Sequence, residues 1–345
     1  MKKLFLFALL FPLIGFAQQY SSKNLSLKKL TTGKNTSMRG VSVVSNQVAW
    51  VSGSNGQVGK TVDGGITWAW TQPKGYEKLD FRDIEAFDDQ NAIIVNAGSP
   101  AYILLTNDGG KSWKETYKNT DSLIFLDGMG FWNRNEGIIF GDPINNKMQL
   151  LKTSDGGLTW KNISDHLKKA LAVGEAGFAA SGTTIRTSND GKVWIASGGK
   201  ASNIYYSSNF GKKWKVYPCP IIQGESSTGP FSIGFLDSKT GIAVGGNYLK
   251  DKESTNNILL TKDGGKTWTK PVTPVLGYRS AVEHINGLLW VATGSSGTDF
   301  SEDGGQNWTN ISTLNFNAVQ KAKTGNLVLL TGNRGNIYQL VLPVE

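Results

Sequence analysis

Cysteine is nearly absent from this chain. The single copy, Cys219, has no partner, so no disulfide can form within the chain. Histidine is almost as scarce. His166 and His284 are the only two, too few for a histidine metal site. Arginine occurs six times among 36 basic residues, so most of the positive charge is lysine. The lysines are scattered through turn sequences rather than clustered with arginine and aromatics, and nucleic acid is not an expected partner. No GxGxxG motif follows a strand and opens a helix, which excludes a dinucleotide fold. Helix-period stretches are missing too, and SDHLKKALA (164–172) suffices only for a short helical turn in a connection. What remains is 345 residues with 42 glycines and 18% charge, a turn-rich globular composition. Without covalent staples such a chain must be held by its core, as one large all-β domain or two average ones.

The first residues, MKKLFLFALLFPLIGFAQQ, combine two lysines, an apolar run and small residues at Gly15 and Ala17. That pattern predicts a secretory signal peptide over residues 1–17, cut after Ala17, and a periplasmic or secreted product. The run is too short for a permanent membrane span. No cysteine follows it, so lipoprotein anchoring is not expected. Losing Lys2 and Lys3 takes the net charge from +9 to +7. Residues 18–345 are expected to form a single domain.

Within that domain an eight-residue motif recurs. It reads TVDGGITW at 61, TNDGGKSW at 106, TSDGGLTW at 153, TKDGGKTW at 261 and SEDGGQNW at 301, with a degenerate SSNFGKKW at 207. The spacings, 45, 47, 54, 54 and 40 residues, match the period of one propeller blade. Upstream of each motif lies a short apolar strand ending in glycine, at Gly53, Gly98, Gly141, Gly198, Gly245 and Gly294. A seventh ends at Gly332 without a motif after it. TSNDGKVW at 187 is a decoy, because KVWIASG belongs with the glycine-ended strands and makes this segment an inner hairpin. Seven strands against six motifs predict a seven-bladed β-propeller. Its last blade lacks an outer strand, and LSLKKL (25–30), which precedes the first unit, is the candidate to complete it and close the ring.

The motif Ser/Thr-x-Asp-x-Gly-x-Thr-Trp resembles the Asp-box, or BNR repeat, of sialidases, other glycosidases, sortilin-type receptors and photosystem II stability/assembly factors. Unit spacing and sequence style are most similar to the exported, assembly-factor-like group. The residues themselves explain the box. Asp63, Asp108, Asp155, Asp263 and Asp303 can accept backbone N–H bonds within the turn. The glycines permit positive φ, and the leading hydroxyl adds a local bond. Trp68, Trp113, Trp160, Trp214, Trp268 and Trp308 fasten each turn to its blade. Asn209 and Phe210 depart from the pattern in the degenerate copy. One carboxylate per box is too few for a calcium loop, so no metal is expected there.

Chemistry is expected instead on the first strand of each blade, which lines the central channel. There the sequence places Arg39, Arg82, Asp83, Asp127, Glu175, Arg279 and Glu283, and Asp142 stands nearby in an unusual GDP. Arg39 and Arg279 each precede a strand tryptophan, Trp50 and Trp290, by eleven residues, which suggests one equivalent position. Arg82 sits comparably. The expectation is a ligand site at one channel mouth, ringed by Arg39, Arg82 and Arg279 and suited to carboxylates and other anions. The competing reading is a self-neutralising, salt-bridged plug. A sialidase would need an Arg-Ile-Pro motif, but Arg39 is followed by Gly40 and Val41. Cys219, between prolines, is expected to be packed rather than nucleophilic.

Fold and resemblance together imply a monomeric binding or assembly scaffold without a cofactor, whose partner is a protein or peptide segment of an envelope or exported client, or a glycan. The alternatives are a carbohydrate-active, sialidase-like glycosidase, or an enzyme of the kind loosely labelled oxidoreductase among relatives. No catalytic residue or redox centre stands out in these residues.

Overall fold

The computed structural model describes residues 25–32 and 34–342; the expected signal peptide lies outside the described residues. The first strand, β1 (Ser26–Thr32), stands apart from the blade that follows it. Blade one comprises β2 (Met38–Val43), β3 (Ala49–Gly53), β4 (Val58–Thr61) and β5 (Ala69–Thr71). Blade two comprises β6 (Phe81–Ala86), β7 (Ala92–Asn96), β8 (Ala101–Thr106) and β9 (Lys114–Asn119). Blade three holds β10 (Leu126–Phe131), β11 (Gly137–Ile144), β12 (Lys147–Thr153) and β13 (Lys161–Asn162). Blade four holds β14 (Glu175–Ala176), β15 (Ile185–Ser188), β16 (Lys192–Gly199), β17 (Asn203–Ser207) and β18 (Lys215–Pro218). In blade five, β19 (Thr228–Phe235), β20 (Gly241–Asn247) and β21 (Ile258–Thr261) are joined by a single bridge to Thr269 in place of a fourth strand. Blade six is β22 (Ala281–Asn286), β23 (Leu289–Gly294), β24 (Gly297–Ser301) and β25 (Thr309–Ser312). Blade seven is β26 (Ala318–Lys321), β27 (Val328–Thr331) and β28 (Asn336–Val341).

Every sheet is an antiparallel meander, and the innermost strands β2, β6, β10, β15, β19, β22 and β26 contact one another in a closed circle. This is a seven-bladed propeller, all β apart from two short 3-10 turns among the described residues. One of those turns, Ser164–His166, falls inside the stretch in which a helical turn was expected. β1 pairs with β28, from Ser26↔Val341 to Thr32↔Asn336, and supplies the missing outer strand of blade seven. Leu25 is buried in the core between blades six and seven, and Leu27 packs against it, while Leu30 packs towards blade one.

The blades are glued by apolar residues that alternate along the inner strands. Tryptophans on second strands, or just past a first strand, reach across the interfaces. Trp50 Nε1 donates to Asp88 O at 2.9 Å, Trp132 Nε1 to Lys192 O at 2.7 Å and Trp194 Nε1 to Gly264 O at 2.9 Å. The Asp-box turns cap the other side of each sheet. Thr61 Oγ1 donates to Asp63 Oδ1 (2.7 Å) and accepts from Gly65 N (2.9 Å). Thr67 sends its N–H (2.9 Å) and its hydroxyl (2.5 Å) to the two Asp63 oxygens. The same bonds recur around Asp108, Asp155, Asp263 and Asp303. Each box tryptophan packs into a neighbouring apolar cluster, Trp308 being the most buried.

Two predictions follow from this frame. Burial of Leu25 alone is worth roughly 1.5–3 kcal/mol, and the β1–β28 ladder adds to it. Deleting residues 18–32 is expected to lower the unfolding free energy by roughly 3 kcal/mol or more, and an unshifted denaturation curve would refute the clasp. The second concerns acid. Side-chain hydrogen bonds from Thr67 and Ser112, aided by backbone N–H groups, hold the Asp63 and Asp108 carboxyls down at about 2. A depressed value in the folded state stabilises above the unfolded value of about 4 and is lost as pH falls through the folded one. Thermal scans should therefore show the melting temperature dropping between about pH 4 and pH 2. Asp63→Asn combined with Asp108→Asn should flatten that drop.

Candidate functional site: the loop-face mouth of the channel

The first strands begin on the face that carries the interblade loops, opposite the Asp-box face. There the backbone departs from regular pairing. The register with the second strand shifts between Met38 and Gly40, Phe81 and Asp83, Leu126 and Gly128, and Pro230 and Ser232. The bulged residues are Arg39, Arg82, Asp127 and Phe231. A bulge re-aims the side chain it carries, and here it brings one residue from each of four blades to the same level of the ring.

Arg279 is not among them. Arg39 lies fourteen residues before Gly53, and the residue fourteen before Gly294 is Ser280. β23 has one more residue between its tryptophan and its terminal glycine than β3 has, so counting from tryptophan slips the register by one. A one-residue slip moves a side chain to the opposite face of the strand. Arg279 points into blade six and is fully buried. Its Nε and Nη2 lie 2.8 and 2.6 Å from Asp299 Oδ2, and its Nη1 donates to Tyr278 O (2.8 Å) and Ser296 Oγ (2.6 Å).

The channel is closed by backbone. Blade four's first strand is split, and the GFAASGTT segment (177–184) between β14 and β15 touches five other blades. Ala180 O accepts from Arg39 Nη1 at 3.1 Å, and Gly182 lies against the Asp83 carboxylate. Gly177 N donates to Asp142 Oδ1 at 2.9 Å. Thr183 O accepts from Ile233 N at 3.0 Å, and Ser181 Oγ donates to Ser280 O at 2.7 Å. The glycines are required. A Cβ on Gly182 would sit 2.3 Å from Asp83 Oδ1, and one on Gly177 would sit 2.2 Å from Asp127 Oδ2.

The remaining acids divide between this plug and other tasks. Asp127 is buried under Gly177, and its Oδ2 has no hydrogen-bond partner. Burial first, and the negative charge of Asp142 second, hold its carboxyl well above the usual range. Burial also raises Asp142. Asp83 accepts from Met129 N (2.7 Å) and Ile84 N (2.8 Å), tying blade two to blade three, and burial pushes it up to about 7. Glu175 does not open to the mouth. Its Oε1 takes bonds from Ser197 Oγ, Asn203 Nδ2 (2.9 Å) and Tyr205 OH (2.7 Å), and its Oε2 takes one from Ala172 N (2.9 Å). Glu283 stands beyond the plug, towards the box face, paired with Arg186 at 2.7 Å. There Arg186, Glu283, Lys321, Lys323 and Glu85 line a pit of about 290 Å³ floored by Ser181, Gly182 and Thr183, with Asp83 at its side.

What remains at the loop-face mouth is compact. Arg39 and Arg82 are near enough that Arg82, after burial, lowers the Arg39 value. Arg82 Nε pairs with Asp80 at 2.7 Å, and its guanidinium lies over the Phe125 ring. Beside them the plug's Phe178 stacks on Phe231, with centroids 3.8 Å apart, and Tyr278 and Tyr248 pack edge-on to Phe231. The surrounding loops expose Leu123, Leu249, Leu276 and Leu314. Two guanidiniums beside an aromatic floor and an aliphatic rim can hold an anionic group attached to an apolar chain. Phe231, Tyr278, Arg186 and the plug escaped the sequence reading. The one signal of the plug was the 54-residue spacing after the third box, longer than the two spacings before it.

Fold, repeats and mouth define the class: a seven-bladed Asp-box (BNR) propeller with a closed channel. Within that class the chain resembles the photosystem II assembly factors, and comparisons with known proteins bear out that resemblance. A family model described as photosynthesis system II assembly factor YCF48 matches residues 18–123. The photosystem II assembly lipoprotein Ycf48 of Synechococcus sp. (strain CC9902) is 26% identical over 263 residues, 74% of this chain and 69% of that protein. A structure described as YCF48 bound to D1 peptide superposes with a TM-score of 0.67 at 17% identity, over 95% of this chain and 99% of that one. YCF48 from Cyanidioschyzon merolae follows at 0.65 and 16%, over 91% and 98%. Among the described residues no helix is long and apolar enough to cross a membrane.

The two kinds of arginine should separate in stability measurements. Arg279→Ala strands the buried Asp299 carboxylate and is expected to cost about 3–5 kcal/mol. Arg39→Ala loses one bond at a partly open site and should cost about 1 kcal/mol. Comparable losses in urea titrations would contradict this division.

Proposed function

We propose that this chain is an exported binding and assembly scaffold, which captures a protein segment non-covalently at the loop-face mouth. Arg39 and Arg82 receive an anionic group of the segment, and the Phe178–Phe231–Tyr278 cluster with the exposed leucines receives its apolar side chains. The observation that carries this reading is the closed mouth itself. A channel stopped by residues 177–184 offers a shallow receptor, and its two accessible guanidiniums are held without being fully neutralised. The YCF48 structure described as bound to a D1 peptide supports a peptide as the kind of ligand; the client of this chain is left open by that likeness. The leader expected over residues 1–17, together with relatives named as lipoproteins, supports a periplasmic or secreted setting. A glycosidase acting at this mouth would need acids that reach a sugar there, whereas Asp127 is enclosed and both Glu175 oxygens are bonded within the blade.

Arg82→Ala removes a pair that is about one-third exposed, so stability should change by less than about 1 kcal/mol. Wild-type and Arg82→Ala proteins would be used as baits on membranes of the source organism, with mass spectrometry of what is retained. Clients held by the wild type and lost from the variant, at unchanged melting temperature, are the expected result. Identical retention by both baits would remove the arginines from the site.

A further inference from the structure

The fourth box preserves the turn while losing its carboxylate. Gly211 N donates to Ser207 Oγ (3.1 Å) and Lys213 N donates to Asn209 Oδ1 (2.9 Å), as in the other copies, and Trp214 Nε1 donates to Gly211 O (3.0 Å), as its counterparts do in blades one, five and six. Asn209 replaces the aspartate. Lys213 replaces the residue that elsewhere donates its side chain to the second carboxylate oxygen, namely Thr67, Ser112, Thr159, Thr267 or Asn307. Lys212 and Lys215 flank it. The fourth turn thus carries three exposed lysines and no carboxylate, whereas the blade-five turn offsets its Lys262, Lys266 and Lys270 with Asp263.

A second set of lysines is fastened to the same turn. His166 Nδ1 lies 3.1 Å from Gly211 O, and Ile163 packs where a Cβ on Gly211 would be. These two contacts hold blade three's outer segment, with the exposed Lys161, Lys168 and Lys169, against the turn that carries Lys212, Lys213 and Lys215. Among the described residues none of the six takes part in an ion pair. Asp165 pairs with Lys147, and Lys168 is near enough to help hold its carboxyl down, while Glu136 pairs with Lys152 and Asp190 with Lys192. The cluster contains no arginine, Phe210 lies beneath the Lys152 ammonium, and the Trp214 N–H is bonded. It therefore has neither the guanidinium forks nor the open aromatic platforms that nucleic acids favour. Flexible ammonium groups on long aliphatic stems, without guanidinium forks among them, suit the headgroup layer of an anionic membrane.

We propose that this outer edge of blades three and four is a docking surface for anionic phospholipid, which holds the propeller against a membrane. The loop-face mouth plays no part in it.

The test is flotation with vesicles of phosphatidylglycerol in phosphatidylcholine, using residues 18–345, which retain every strand. The variant Lys212→Glu/Lys213→Glu/Lys215→Glu leaves the box bonds intact, because Lys213 uses only its backbone N–H there. A matched variant, Lys262→Glu/Lys266→Glu/Lys270→Glu, makes the same change of charge in blade five. Expected are binding to the anionic vesicles that fades at high salt, no binding to pure phosphatidylcholine, and a loss of about tenfold or more in the blade-four variant. The blade-five variant should bind nearly as the wild type does, and circular dichroism should show both variants folded. Absence of binding to anionic vesicles overturns the proposal, as does an equal loss in both variants. So does a stronger affinity for single-stranded RNA than for vesicles in competition.

Discussion

A ring of sheets has one seam, and here the seam is held by the β1–β28 ladder. Within each blade the strands are neighbours in sequence and pair with little loop entropy to overcome. Blade seven alone joins the two ends of the described chain. β1 is continuous with blade one through a short connection, so its pairing with β28 turns a covalent link into ring closure. It also covers the outer edge of β28, which would otherwise present a row of unpaired backbone groups. Inner contacts reinforce the same seam, including Val43 N to Gln320 Oε1 at 2.7 Å and Asn317 Nδ2 to Met38 O at 2.9 Å. The position of every channel residue depends on this closure, because the inner strands are placed only by their neighbours in the circle.

The closed ring in turn makes the plug feasible. Residues 177–184 cross a space no side chain would fill well, and their polar backbone is satisfied by blades on several sides. The cost is the burial of carboxyl groups. Burial raises both carboxyls, Asp83 to about 7 and Asp127 well above the usual range, as desolvation of a carboxyl does. Their effect on stability runs opposite to that of the box acids. Asp83, raised in the folded state, contributes fully below its unfolded value and loses that contribution as pH rises through about 7. The box acids contribute above about pH 4. The two sets pull in opposite directions, the turns losing their contribution as pH falls below about 4 and the plug's acid as pH rises towards about 7.

The architecture was legible because it is repeated. One box says little, but six boxes against seven glycine-ended strands specify blade number, strand order and the need for a clasp. The candidate site was legible only where it followed the repeat. Arg39 and Arg82 sit at bulges that recur from blade to blade, so spacing locates them. Arg279 was misplaced by one residue, since β23 is a residue longer after its tryptophan and the face of a strand alternates with period two. Glu175 and Glu283 lie on inner segments, but neither opens to this mouth; one anchors the base of the split strand, and the other belongs to the far side of the plug. The plug itself has no periodicity, and nothing in GFAASGTT distinguishes a segment crossing a channel from an ordinary surface loop.

Repeats also allow a comparison inside one molecule. The box hydrogen bonds call for a hydroxyl at the first position, an oxygen acceptor at the third and a glycine at the fifth. The second acceptor oxygen matters only when a donor stands at the seventh position. Box four has no such donor, and there the third position is the neutral Asn209. The loss of the carboxylate and the gain of Lys213 are therefore two parts of one change, and the turn survives both. Positions that the hydrogen bonds leave unused are free to carry charge. The same logic governs the channel mouth, where the bulged residue is arginine, aspartate or phenylalanine according to blade while the pairing on either side of it stays the same. In this propeller the repeated bonds define the scaffold, and recognition resides in the positions those bonds do not constrain.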